Sequence, residues 1–327
     1  MILIDRWHRQ LNYLRVSITD RCNLRCIYCQ SGPVFQKQKH NDILRYEEIL
    51  RIINAGISLG ITKVRITGGE PLVRKGVFSF LKEISELSGL EDISITTNGI
   101  LLKRHVQDLI AANIRRINVS LDTLNADKYV NISGANRWQQ VWDGIMAAHN
   151  VGIYPIKLNI VAMKGINDDE WLAFADLTRK FPFWVRFIEL MPVGHSDIYT
   201  NQWVSSDIIK KKIENHLGAL VPLTRNVHDG PADRFKLKDS LGEIGFIHAI
   251  SHHFCQTCNR LRLTATGKLR VCLLSDKHID LKTLIRNGCS DEDIKNQFIA
   301  AVSLKPMSHQ NYFSNIPCSD QMVSIGG

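Results

Sequence analysis

Short apolar, β-branched runs recur along this chain, and segments of helical period separate them. The run LRVSIT (14–19) opens the series. RYEEILRIINAGISLG (45–60) then places Ile49, Ile52, Ile53 and Ile57 on one helical face and stops at Gly60. Strands are predicted at KVRIT (63–67), DISITT (92–97), RINVSL (116–121), IKLNIVAM (156–163) and WVRFIEL (184–190), with helices over 78–87, 101–113, 138–152 and close to 169–180. Six strands alternating with helices argue for an α/β fold with a parallel sheet, either open and doubly wound or barrel-like. In both, chemistry gathers at the C-terminal strand ends. The loops TDRCNLRC, TGGEP, TTNG, SLDT, AMKG and ELMPVG sit there.

After residue 195 the alternation loosens. A helix is predicted over 204–218, capped by Ser205 or Ser206, and shorter strand-like pieces follow. The expected division is a domain over 1–215 and a smaller one over 216–327. No internal repeat is evident.

The 327 residues carry a net charge of +9, which suits an anionic partner. The charge is scattered, so a small polyanion fits at least as well as a duplex. No basic stripe interleaved with aromatics supports nucleic-acid binding. No apolar run predicts a membrane span, and MILIDRWHRQLNYLR lacks the regions of a signal peptide, so the cytoplasm is expected. In that reducing compartment, clustered cysteines read as metal ligands rather than disulfides.

Cys22, Cys26 and Cys29 follow the first strand with the spacing C-x3-C-x2-C. Three thiolates are one short of a closed zinc site. They suit a 4Fe–4S cluster with one iron left open. A second group, Cys255, Cys258 and Cys272, has the spacing C-x2-C-x13-C, with His252 and His253 just before it. Spacing alone leaves this group open between a Cys3His zinc site and a second cluster. Cys289 and Cys318 stand alone in polar contexts and read as incidental.

The C-x3-C-x2-C loop resembles that of the radical S-adenosylmethionine superfamily. The segments LRVSITDRCNLRCIYC, VRITGGEPLVR, TTNG, RINVSLDTL, KGIND, RFIELMPVG, FCQTCNRLRLTATGKLRVCL and the final IGG together resemble the GTP 3′,8-cyclases of molybdenum cofactor biosynthesis, from residue 12 to the end. That resemblance implies an incomplete (β/α)6 barrel of TIM type, with a smaller C-terminal region carrying a second cluster. It implies two 4Fe–4S clusters, on Cys22, Cys26 and Cys29 and on Cys255, Cys258 and Cys272, with the open iron of the second contacting guanine. S-adenosyl-L-methionine would meet Tyr28, Gly69, Ser120 and Met191. GTP would meet Arg15, Arg65, Thr96, Lys157, Arg260, Leu261 and Arg262.

The implied reaction is removal of the C3′ hydrogen of GTP by a 5′-deoxyadenosyl radical, followed by attack of the C3′ radical on C8. Arg260, Arg262 and the terminal Gly326 and Gly327 are expected to assist it. Implied partners are a flavodoxin-like or other electron donor and cyclic pyranopterin monophosphate synthase downstream, with the chain a monomer or homodimer. The sequence departs from the family at DRWHRQ (5–10), at Gln30 and across 34–42. A peptide-modifying radical enzyme with an auxiliary cluster is the alternative, disfavoured by the IGG tail.

Overall fold

The computed structural model describes residues 2–30, 37–194, 201–224, 230–309, 318 and 320–326. Residues 34–36 of the divergent segment and the terminal Gly327 lie outside the described residues.

The first half alternates strand and helix. Its elements are β1 (Tyr13–Ser17), α1 (Tyr46–Ser58), β2 (Lys63–Thr67), α2 (Val77–Ser85), β3 (Asp92–Thr97), α3 (Leu102–Ala111) and β4 (Ile117–Ser120). They continue with α4 (Ala126–Ser133), α5 (Trp138–Asn150), β5 (Ile156–Ala162), α6 (Trp171–Lys180) and β6 (Trp184–Glu189). The six strands pair in parallel in the order β1-β2-β3-β4-β5-β6. This is the α/β partial barrel that the sequence resemblance implies. The short helix α4 was not predicted. Half of its eight residues are polar, and it is set by Asn125, whose side chain accepts hydrogen bonds from the amides of Asp127 and Lys128.

The C-terminal part adds α7 (Ser206–Leu217), β7 (Leu220–Pro222), β8 (Asp233–Leu237), β9 (Glu243–Ile247), β10 (Arg260–Leu263), β11 (Lys268–Arg270) and β12 (His278–Asp280). The helices α8 (Leu281–Arg286), α9 (Asp291–Ser303) and α10 (Met322–Ile325) follow. The predicted cap of α7 forms at Ser205, which accepts from the Asp207 amide.

These strands extend the barrel sheet at both edges. β9 pairs in parallel with β6, and β10 pairs in parallel with β1. The twelve described strands thus form one sheet, β12-β11-β10-β1-β2-β3-β4-β5-β6-β9-β8-β7. β9 and β10 are consecutive in sequence yet lie on opposite flanks of the six-stranded core. The segment 248–259 between them spans from one flank to the other, and it carries Cys255 and Cys258.

Side chains alternate along each barrel strand. One face is apolar and wholly buried against the helices: Leu14 and Val16, Val64 and Ile66, Ile117 and Val119, Leu158 and Ile160, Val185 and Phe187, Leu261 and Leu263. The other face, toward the barrel axis, holds Tyr13 and Arg15, Lys63 and Arg65, Thr96, Asn118, Lys157 and Asn159, Arg186, and Arg260 and Arg262. A closed TIM barrel packs its axis with branched apolar side chains. Here the axis is polar and largely cationic, and therefore suited to hold a ligand.

Candidate active site

The first cysteine loop is fastened to three strand ends. Gly69 donates its amide hydrogen bond to the Thr19 carbonyl (2.7 Å), and Glu70 donates to that of Arg21 (2.8 Å). A Cβ on Gly69 would come within 2.4 Å of the Arg21 oxygen, so only glycine permits this approach. The Glu70 carboxylate is fully buried and accepts from the Thr97 hydroxyl (2.8 Å), the Asn98 amide (2.7 Å) and the Leu72 amide (3.1 Å). Burial pushes its pKa up to about 7 against those bonds. Tyr28 donates from its hydroxyl to Asp122 (2.7 Å), which also accepts from the Val161 amide (2.8 Å).

Burial raises the pKa of all three thiols in this loop: Cys22, Cys26 strongly, and Cys29 to about 12, with Cys22 and Asp122 adding to the last. As bare thiolates these groups are unfavourable. Bound to a positively charged iron core they are not, so the donor set fits a metal cluster.

The second group lies at the other end of the barrel axis from the first. β10 runs parallel to β1 with Arg260 opposite Tyr13, so Cys255 and Cys258 precede the N-terminal strand ends, whereas Cys22, Cys26 and Cys29 follow the C-terminal end of β1. Cys255 and Cys258 flank a tight turn, with the Cys258 amide donating to the Cys255 carbonyl (3.2 Å), and Cys272 follows β11. Glu189, at the end of β6, ties the crossing segment down by accepting from the amides of Ile250 (2.8 Å) and Ser251 (2.9 Å). Cys258 differs from Cys255, whose thiol pKa burial pushes up. Burial opposes ionisation of Cys258 too, but Lys305 and Arg260 outweigh burial and bring its pKa down to about 6.

His252 turns outward to Asp207 (Nε2–Oδ2 2.8 Å) and is no ligand candidate in this arrangement. His253 and an unpredicted histidine, His309, stand beside Cys255. Their ligand atoms lie within 4.8 Å of one another, and His309 Nδ1 is 3.1 Å from Cys255 Sγ.

One cavity joins the two groups. It is lined by all six cysteines and, between them, by Arg15, Arg65, Arg186, Arg260 and Arg262. Across β10, β1 and β2, Arg262, Arg15 and Arg65 fall in one register row. Mutual repulsion and burial perturb this row. Burial and then Arg262 push the Arg15 pKa well down, and burial and then Arg260 bring Arg262 to about 10. Among the described residues, Tyr13 Oη, Thr96 Oγ1 and Asn159 Oδ1 are buried in the cavity wall without a hydrogen-bond partner. Crowded cations and orphaned polar atoms in one cavity are what a bound polyanion would satisfy.

Residues 16–178 match the model of the Radical SAM superfamily, and residues 183–311 match that of Molybdenum Cofactor Synthesis C. The chain is 46% identical over 324 residues to GTP 3′,8-cyclase of Thermodesulfovibrio yellowstonii, covering 99% of both chains. It is 46% identical over 327 residues to the GTP 3′,8-cyclase of Petrotoga mobilis, covering 99% of this chain and 100% of that one. This chain belongs to the GTP 3′,8-cyclase family. Among solved structures, Streptococcus suis SuiB bound to S-adenosylmethionine superposes with a TM-score of 0.63 at 14% identity, over 83% of this chain and 64% of that one. That likeness is one of fold.

As a GTP 3′,8-cyclase family member, the chain takes two 4Fe–4S clusters and S-adenosyl-L-methionine. The cavity wall includes the expected cofactor residues Tyr28, Gly69, Ser120 and Met191 and the expected substrate residues Arg15, Arg65, Thr96, Arg260 and Arg262. Two expected substrate residues stand apart. Leu261 points into the core and is fully buried there, so only its main chain can face a ligand. Lys157 sits one register step deeper than the lining residue Asn159. Its Nζ lies 4.2 Å from the Trp184 ring centroid, and burial, then Arg186, push its pKa down to about 4.

Gly326 reaches the site: Arg262 Nη1 donates to its carbonyl (3.0 Å). Cys318, read as incidental, is buried and accepts from Arg270 Nη2 (3.1 Å), in the cluster that seats this tail. Arg186, Asp122, Glu189 and His309 were missed. Arg186 had a signal in sequence, since WVRFIE repeats the apolar–Arg–apolar alternation of YLRVS and KVRIT. His309 had none, lying 54 residues from the cysteine it touches.

Proposed function

We propose that this chain cyclises GTP to 3′,8-cyclo-7,8-dihydro-GTP, the first step toward molybdopterin. The observation that carries the reading is the single cavity with a cysteine triad at each end and five arginines between.

In this reading Cys22, Cys26 and Cys29 hold the first cluster. Tyr28, Gly69, Ser120 and Met191 position S-adenosyl-L-methionine beside it. When bound, that pair supplies the carbon-centred radical that removes a hydrogen atom from C3′ of the ribose. Cys255, Cys258 and Cys272 hold the second cluster at the guanine end.

GTP carries about four negative charges at neutral pH. Arg15, Arg65, Arg186, Arg260 and Arg262 receive them, Thr96 and the Leu261 main chain add polar contacts, and the anion's own charge favours protonation of Lys157 below them. Arg guanidinium groups pair phosphate oxygens bidentately and hold C3′ and C8 in register for ring closure. Arg260, Arg262 and Gly326 complete the wall that excludes water, and Gly327, outside the described residues, is expected to assist the same reaction. Residues 1–215 would thus provide the radical end and 216–327 the guanine end. A flavodoxin-like or other one-electron donor, a downstream cyclic pyranopterin monophosphate synthase, a monomeric or homodimeric state and a cytoplasmic location complete the reading. None of the described helices is long and apolar enough to cross a membrane.

The test is anaerobic reconstitution followed by turnover. The protein should bind about eight irons per chain. With GTP, S-adenosyl-L-methionine and a reductant it should release 5′-deoxyadenosine and a cyclised nucleotide. Half that iron together with bound zinc, or cofactor cleavage without cyclised GTP, overturns the reading.

A further inference from the structure

The chain after α9 passes directly behind the second cysteine group. Lys305 and His309 on it are buried, at 3% and 4% exposure. Lys305 Nζ lies 3.6 Å from Cys258 Sγ and donates to the carbonyls of Arg260 (2.9 Å) and Val271 (2.7 Å), the latter adjoining Cys272. His309 Nδ1 meets Cys255 Sγ. One short segment therefore reaches the surroundings of all three cysteines.

The segment is braced from the N-terminus. Trp7 Nε1 donates to the Lys305 carbonyl (3.2 Å). Arg9, paired with Asp5 at 2.6 Å, donates to the carbonyls of Pro306 (2.6 Å), Met307 (3.2 Å) and Cys255 (2.6 Å).

A buried ammonium needs an anion nearby. Among the described residues no carboxylate pairs with Lys305, and the anionic candidate in reach is the Cys258 sulfur. A metal-bound thiolate carries no proton, so its contact with His309 requires Nδ1–H donating to sulfur. The first group differs. Among the described residues the donors to Cys22 Sγ are neutral, including the Leu24 amide (3.4 Å) and Asn98 Nδ2 (3.8 Å). The carboxylates Glu70 and Asp122 stand near that loop.

We propose that Lys305 and His309 are tuning residues that raise the reduction potential of the second cluster. Reduction adds one electron to the cluster and so increases its negative charge. A fixed ammonium and an N–H···S bond both favour that reduced state. The inference rests on Cys255, Cys258 and Cys272 being cluster ligands.

The experiment is a potentiometric titration of the anaerobically reconstituted full-length protein, followed by EPR. The second-cluster signal is identified in a Cys22→Ala/Cys26→Ala/Cys29→Ala variant. Lys305→Met and His309→Phe should each lower the midpoint of the second cluster and leave that of the first unmoved. His309→Gln, which keeps an N–H donor, should restore most of the shift. Unmoved second-cluster midpoints in variants that hold about eight irons overturn the proposal. Should Lys305→Met load only half that iron, the His309 pair decides, and an unshifted His309→Phe overturns it. Wild-type protein that holds only half the iron instead refutes the ligand assignment, a separate failure.

Discussion

Arg262 and Gly326, 64 residues apart in sequence, are joined by a hydrogen bond from the guanidinium to the glycine carbonyl at 3.0 Å. Arg262 lies on β10, in register with Arg15. The bond therefore brings the end of the chain to the row of cations on the barrel axis. Gly326 has φ of +72°, and a Cβ there would lie 2.7 Å from Ser17 Cβ and 3.1 Å from Thr67 Cγ2, at the ends of β1 and β2.

Gly326→Ala is therefore expected to displace the tail, because a left-handed alanine costs about 1–2 kcal/mol before the clash is added. Iron content should stay at the wild-type value, with 5′-deoxyadenosine still formed and cyclised nucleotide lost. Product assay by chromatography alongside iron determination checks this. Full cyclisation by the variant would show that the tail's position is immaterial.

Arg186→Met should weaken GTP binding. Arg186 is buried on the cavity wall, where a charged hydrogen bond contributes about 1.5–3 kcal/mol. The expected loss is roughly 10- to 150-fold in KM for GTP. S-adenosyl-L-methionine cleavage without GTP should be unchanged. Arg186 also donates weakly to Asn118 (3.4 Å), so thermal unfolding is measured alongside to separate binding from stability.

Glu70 should make stability fall as pH rises. Its folded pKa, about 7, lies above the ordinary carboxyl value of 4.5, so the folded state holds its proton more tightly than the unfolded chain does. The folded state is thus favoured at low pH. That advantage disappears between pH 4.5 and 7, by about 3 kcal/mol. Glu70→Gln cannot ionise, so its unfolding free energy should lack this component of the slope. It should also be lower at all pH values, because the Asn98 amide loses its acceptor. Denaturant titrations of both proteins across that range measure the difference.

Asp92→Asn should destabilise the barrel without touching its chemistry. Asp92 is buried at the start of β3, where it pairs with Lys63 (2.8 Å) and Arg116 (3.0 Å) from the neighbouring strand regions. Removing one partner of a buried ion pair costs about 3–5 kcal/mol. The expected result is a lower urea midpoint, with the ratio of cyclised product to cofactor cleaved unaltered in the protein that remains folded.

The sequence by itself determined the strands of the barrel, the two cysteine triads and most of the named residues that line the cavity. KVRIT and DISITT form strands with the bounds their alternation predicts, and the triads lie in loops beside strand ends. These are local properties: alternation reports which face is buried, and close cysteines share a loop whatever the rest of the chain does. Arg186 was legible in the same alternation, although it was not read there.

What only the tertiary structure decided are the relations between distant segments. β9 and β10 could not be assigned to opposite flanks from their sequences, because strand pairing is settled by long-range burial rather than by local pattern. That pairing carries 248–259 from the C-terminal end of β9 to the N-terminal end of β10 and so sets the second triad at the opposite end of the barrel axis from the first. The same holds for Arg262 on Gly326, Lys305 beside Cys258 and His309 beside Cys255. No spacing rule connects residues 47 to 64 positions apart. Only packing of the whole sheet, with its apolar face on the helices and its cationic face on the axis, brings them together.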